Sequence, residues 1–283
     1  RYAFTVRTAT AGGTLTEIGT SPTAYVAVPI ANIRDVDADG VALDLGETVA
    51  VSGTATVASG TFDANDLEVN LEDATAGVVV YNGSFITPIT VGNDYLVKGA
   101  VAQSAGLTQV RPAGAAAVAD LGAGTAVQPA VVTLANLLAN PEQYEGSLVT
   151  VQNLTKVSGT WPAQGSSENL VVTDDGGVTQ LTLRVDSDTD IDGSAEPAYP
   201  IDVTGVAGQF DTSSPFTEGY QVLPRSLADL APSGGQSETR VQFTSAERAV
   251  AEVGGPLAIP VSIFGQSGQT ATTVEVALVG GTA

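Results

Sequence analysis

Apolar and polar residues alternate along most of this chain, in short bursts. Thr48–Ser52, Leu67–Leu71, Val78–Tyr81, Tyr95–Lys98, Leu148–Gln152, Leu170–Thr173, Leu181–Val185 and Ile201–Val206 each read as a strand, because successive strand side chains point to opposite faces. Gly, Asn, Asp or Pro separates the bursts, and these residues supply tight turns. One stretch breaks the pattern. Leu134–Leu138 follows Thr133 and runs toward Asn140-Pro141, which predicts a short helix with a stop. Val outnumbers Leu in the regular stretches, and Gly and Thr are abundant. That mix favours pleated strands and turns over helices, so the chain reads as all-β.

The bursts repeat. One copy opens with GETVAVSGTATV at Gly46, continues with LEVNLEDATAGVVVY from Leu67 and closes with DYLVKGAVAQSAGLTQVRP from Asp94. The other opens with GSLVTVQNLTKVSG at Gly146, continues with NLVVTDDGGVTQLTLRV from Asn169 and closes with PIDVTGVAGQFDTSSPFTEGYQVLPR from Pro200. Both run through a glycine-led strand, a hairpin with an acidic turn, and a Gln-Val-x-Pro ending. Five-stranded small barrels have this layout. The motifs GETVAVSG, LEDATAGVVVY and GLTQVRP resemble OB-fold domains found beside secreted bacterial nucleases and in large surface proteins. Tyr144-Glu145-Gly146-Ser147-Leu148-Val149 is similar to the same group. The resemblance covers roughly residues 30–231 and specifies fold better than function.

The flanks read differently. A Pro-Gly-Ser linker at 232–237 precedes a segment with strands expected at Val241–Phe243, Leu257–Ile263 and Thr273–Leu278, which resembles the first half of a Calx-β-type sandwich. The N-terminal YAFTVRTATAGGTLTEIGTSPTAYVAVPI looks like the closing strands of such a sandwich. The expected organisation is therefore closing strands of a β-sandwich at 1–31, an OB-like barrel at 32–118, a second at 119–231, a linker at 232–237 and opening strands of an Ig-like, Calx-β-like sandwich at 238–283. A half-sandwich leaves strand edges unpaired. Either the chain is a window on a longer tandem protein, or a neighbouring copy completes each end by strand addition. The window is preferred, because the middle strands of the sandwich are not in the sequence.

Composition narrows the function. There is no Cys and no His, which removes disulfides, thiol catalysis and the commonest general base and transition-metal ligand. The net charge is −21, and Lys98 and Lys156 are the only lysines. Phosphate recognition needs the opposite sign, so nucleic acid is not the expected partner. No apolar run is long enough to span a bilayer, and the resemblance implies a secreted protein, extracellular or at the cell surface.

Two acidic runs are candidate calcium ligands. Asp35, Asp37 and Asp39 alternate before Gly40, the opening of a calcium loop, although the bidentate Glu of that loop is displaced to Glu47. Asp186, Asp188, Asp190 and Asp192 alternate before Gly193. On a strand these four would share one face and repel unless a cation sat among them. The competing reading of both runs is a solvated acidic turn. Tyr81, Phe85 and Tyr95, and Trp161 and Phe210, are candidate stacking residues, with Lys98, Arg111, Lys156, Arg184 and Arg225 as the few cations near them; their competing reading is core or rim. Asn82-Gly83-Ser84 and Asn153-Leu154-Thr155 match the N-glycosylation pattern. No nucleophile elbow or phosphate loop is present. The expected role is a non-catalytic structural segment of a fibre, surface layer or adhesin stalk. Its partners would be other copies of itself or neighbouring domains of the same protein. The alternative is an accessory binding module of a secreted nuclease or other hydrolase.

Overall fold

The computed structural model describes strands at 5–9 and 15–20, residues 26–233 with their side chains, and strands at 240–243 and 261–264. The chain forms two compact units, residues 1–233 and 234–283. In the smaller, β16 (Arg240–Phe243) and β17 (Val261–Phe264) pair antiparallel. The strand expected at Thr273–Leu278, like most of the Calx-β-like pattern, lies outside the described residues.

The larger unit begins with an antiparallel pair, β1 (Thr5–Ala9) and β2 (Leu15–Thr20). The first barrel follows: β3 (Thr48–Ala55), β4 (Leu67–Glu72), β5 (Gly77–Asn82), β6 (Asn93–Ser104), β7 (Leu107–Pro112) and an added β8 (Val118–Ala123). The pairs β3–β4, β4–β5, β5–β7, β7–β6 and β6–β3 close the ring, and β5–β7 alone is parallel.

The second barrel comprises β9 (Ala130–Val132), α1 (Leu134–Ala139), α2 (Pro141–Tyr144), β10 (Leu148–Ser158), β11 (Glu168–Thr173), β12 (Leu181–Val185), β13 (Ile201–Gln209), β14 (Tyr220–Leu223) and β15 (Leu230–Pro232). Its ring β10–β11–β12–β14–β13–β10 repeats the first, again with a parallel closing pair, β12–β14. Both rings have the five-stranded OB-like layout. All eight strands read from alternation lie inside observed strands, and α1 starts where Thr133 accepts from the Asn136 N–H.

The alternation fills two cores. Along β12, Leu181, Leu183 and Val185 point inward and Thr182 and Arg184 outward. Val69, Leu71, Val78, Val80 and Val97 do the same for the first barrel. Val28 and Ile30, expected with the sandwich strands, belong here: Val28 bridges to Val51 and Ile30 is fully buried in the first core. The Ile30 N–H, at the start of a 3-10 turn, donates to Asp73 at 2.9 Å, which holds the turn against the barrel. Strand β8, expected mostly with the second barrel, pairs instead with β6 of the first.

Candidate functional site

The two barrels meet backbone to backbone. A Cβ on Gly77 would lie 2.3 Å from the Gly146 carbonyl, and one on Gly146 would lie 2.6 Å from Gly77. Only glycine permits this approach. Around the crossing, Asn70 donates to the Gly146 carbonyl at 2.9 Å and the Leu148 N–H donates to Glu72 at 2.8 Å. Val57 and Phe62 of the first barrel share an apolar cluster with Leu148 and Val206 of the second.

An ion pair lies at the same junction. Arg34 and Glu145 are both buried and joined by a short hydrogen bond, and the Thr108 N–H also donates to Glu145, at 3.1 Å. Burial pushes the Glu145 carboxyl above its ordinary range, against the opposing pull of the Arg34 guanidinium. Further hydrogen bonds tie loops across the junction. Arg225 donates to Thr56 O, Phe216 N–H to Asp39 O and Asp211 N–H to Ala105 O, each at 2.8 Å.

Beside this seam, β4, β5 and β7 face β13 and β14 across a groove of about 360 Å3. It continues past Phe62, Glu68 and Phe210 to Asn169, Arg184 and Asp186. Tyr81 lines one wall, with the Arg111 guanidinium 5.4 Å from its ring centroid, and Arg111 is held in turn by Gln109 at 3.2–3.3 Å. Arg184 pairs with Asp186 at 3.6 Å and with Asn169 at 3.3 Å. Burial first, then the charges of Asp186, Asp63 and Asp66, raises Glu68 from 4.5 to about 7.

Gln209 is 2% exposed; its Nε2 donates to the carbonyls of Phe216 and Glu218, and its Oε1 has no partner. The β6–β7 turn, Ala105-Gly106, has positive φ at both residues and packs on this glutamine. A Cβ on Gly106 would meet Gln209 Oε1 at 2.2 Å.

The residues singled out from the sequence disperse. Tyr95 is in the first core, Phe85 packs against it, and Trp161 packs on the second core while its indole N–H donates to Ser194 O. Only Tyr81 and Phe210 reach the groove, with Arg111 and Arg184. Arg225 is engaged by Asp229 and Thr56. Asp37 accepts from the N–H groups of Asp39 and Val41, while Asp35 accepts through its backbone carbonyl from Leu43. In the second run each carboxylate takes a different donor: Asp186 from Asp188, Asp188 from Ala64, Asp190 from Leu227 and Asp192 from Gly165. Among the described residues no three acidic side chains are grouped to hold one ion. Asn82 of the first glycosylation pattern donates to Pro112 O, whereas Asn153 is exposed.

Glu68, Phe62 and Gln209 carry no motif of their own. The Gln-Val-x-Pro ending was a usable signal, because its two glutamines, Gln109 and Gln221, both line the groove.

No known family matches the chain in a family comparison. It is 26% identical over 190 residues to Endonuclease YhcR of Bacillus subtilis (strain 168), a match covering 66% of this chain and 15% of that protein. The chain thus spans a small part of the relative's length. Among solved structures, the p204 HINb domain gives a TM-score of 0.29 at 12% identity, covering 63% of this chain and 91% of that one. The tetrameric p202 HIN2 gives 0.29 at 11%, covering 63% and 86%. Among the described residues no helix is long and apolar enough to cross a membrane.

Proposed function

We propose that this chain is a non-catalytic structural segment of a larger extracellular protein, whose paired barrels act as one stiff spacer. The junction carries this reading: a glycine-on-glycine backbone crossing, a shared apolar cluster and a buried ion pair all lie between the barrels. Domains that merely follow one another on a flexible linker need none of these. A chain lacking both His and Cys suits mechanical work better than general-base or thiol chemistry. Residual dipolar couplings measured on both barrels in one alignment medium test the stiffness. A single alignment tensor supports a spacer, and two tensors of different magnitude sink it. The finer form of the reading joins copies end to end through the flanking β-segments. Filaments with a regular axial repeat in electron micrographs of native material would support it, and isolated particles would remove it.

The likeness to an endonuclease favours a second reading, an accessory module that works beside a nuclease domain. It requires the chain to retain single- or double-stranded DNA at physiological salt. Against it stands the charge of −21, since phosphate contacts supply most of such affinity.

A further inference from the structure

The groove holds two opposite charges, and neither has a counter-ion among the described residues. Of the four arginines between residues 26 and 233, three pair with carboxylates: Arg34 with Glu145, Arg184 with Asp186 and Arg225 with Asp229. Arg111 pairs with none among the described residues. Its guanidinium is nevertheless held in place, 5.4 Å from the Tyr81 ring centroid and with Nε and Nη2 donating to Gln109 Oε1. Nη1 is left uncommitted. Gln109 is 6% exposed and lines the groove, and its Nε2 donates to no group among the described residues. A fixed guanidinium with an unused amide donor beside it suits a carboxylate. Glu68 is the reverse case. Among the described residues it takes no hydrogen bond and no cation, and the charges acting on it are all negative, those of Asp186, Asp63 and Asp66. Such surroundings favour an arriving cation.

Strand register explains why the two charges do not meet. Val69, Val80 and Val110 point into the first core, so their neighbours Glu68, Tyr81 and Arg111 lie on the outer face. Glu68 is opposite Tyr81 on β4–β5, and the pairing of Val80 with Val110 on β5–β7 sets Arg111 beside Tyr81. The three form a row with the tyrosine in the middle. Two strand spacings put the backbones of Glu68 and Arg111 roughly 10 Å apart. A ligand that satisfies both ends therefore carries a cation and an anion at its two extremities. An extended peptide of two or three residues with free termini spans about 7–10 Å and has that pattern. The groove, of about 360 Å3, falls among ligand sites of roughly 300–1,000 Å3.

We infer that the groove between the barrels binds a short zwitterionic peptide, its carboxylate on Arg111 and Gln109 and its ammonium at Glu68. This site is independent of the spacer role, since a stiff unit can hold such a peptide or not. The groups that face Glu68 are Asp63 and Asp66 ahead of its own strand, Tyr81 on β5, and Arg184 and Asp186 of the second barrel. Ionised Glu68 receives the ammonium, so affinity rises as pH passes through about 7. It falls again once the peptide's amine loses its proton, above about 8.

Calorimetric titration of the full chain at about pH 7.5 with trialanine, trialanine amide and N-acetyl-trialanine tests it. Trialanine should saturate with millimolar affinity or better, and capping either end should weaken it by about tenfold or more. Arg111→Gln should weaken trialanine and leave the amide as it is in the parent. Glu68→Gln should weaken trialanine and leave the acetylated peptide as it is. Arg111 is exposed, so its substitution spares the cores. Val178→Ala, at a site 88% exposed and outside the groove, should change nothing. Lowering the pH to about 5 should weaken trialanine in the parent but not in Glu68→Gln. The inference is overturned if trialanine does not saturate by about 10 mM, if either capped peptide binds as well, or if Arg111→Gln matches the parent. Tighter binding of oligothymidylate would assign Arg111 to a phosphate and overturn it equally.

Discussion

Glu68 shows how one side chain couples the barrel junction to pH. It stands on β4, and the charged groups around it come from two places: Asp63 and Asp66 before its own strand, and Asp186, beside Arg184, from the second barrel. Burial and those carboxylates hold its pKa at about 7 instead of 4.5. Between these values the folded chain keeps a proton that the unfolded chain has released. Stability from this group is therefore fullest below pH 4.5 and is lost as pH rises through about 7. The full gap corresponds to roughly 3 kcal/mol, and partial exposure reduces it. Glu68→Gln should raise stability at pH 8 by about 1–2 kcal/mol and change it little at pH 4.5. Urea unfolding of both proteins at the two pH values checks this. Glu72 and Glu145 also have raised pKa values, so the difference between variant and parent carries the signal. An equal gain at both pH values would assign the effect to packing.

At the scale of elements, alternation made the strands legible and left their partners illegible. Leu181–Val185 appeared complete because its three apolar side chains face one core and its two polar ones face away. The Gly77–Gly146 crossing left no such trace, since a glycine needed for contact between barrels looks in the sequence like any turn glycine. The groove was half legible. Its repeated glutamines stood in a visible ending, but Gln209 Oε1 lacks a partner only because of which loops close over it. Val28, Ile30 and β8 joined the first barrel for a similar reason: an isolated apolar residue or a short edge strand has no pattern that names its neighbour. Gly77→Ala isolates the crossing, since Gly77 does not need the left-handed conformation. Its Cβ would force the backbones apart, at a cost of about 1–3 kcal/mol. Gly114→Ala, with nothing within 4 Å of its Cβ, should be nearly neutral. Thermal unfolding compares the two, and amide exchange should show the Leu148 N–H losing protection in Gly77→Ala alone.

At the scale of the whole molecule, the question is whether the two barrels unfold as one. The Arg34–Glu145 pair decides much of it, because each side chain is buried by the meeting of the barrels and neither has water to fall back on. Removing Glu145 leaves the buried Arg34 with only its contacts to Glu142, 3.5 Å to the carboxylate and 3.1 Å to the carbonyl. The loss therefore falls toward or below the low end of the roughly 3–5 kcal/mol for a broken buried pair, whereas replacing both partners by apolar residues costs far less. Glu145→Leu should therefore be more damaging than the double variant Arg34→Met/Glu145→Leu, although the double variant removes more polar contacts. The chain offers its own reporter. Trp161 is the only tryptophan and packs on the second core, so its fluorescence follows that barrel while far-ultraviolet circular dichroism follows both. In the parent the two transitions should coincide. In Glu145→Leu, where the buried guanidinium pushes the barrels apart, they should separate, with fluorescence and dichroism giving different urea midpoints. The double variant should restore coincidence. Coincident curves in all three proteins would mean that the glycine crossing and the shared apolar cluster bind the barrels without help from the ion pair. Separate curves in the parent would mean that the junction is too weak to make one spacer of two barrels.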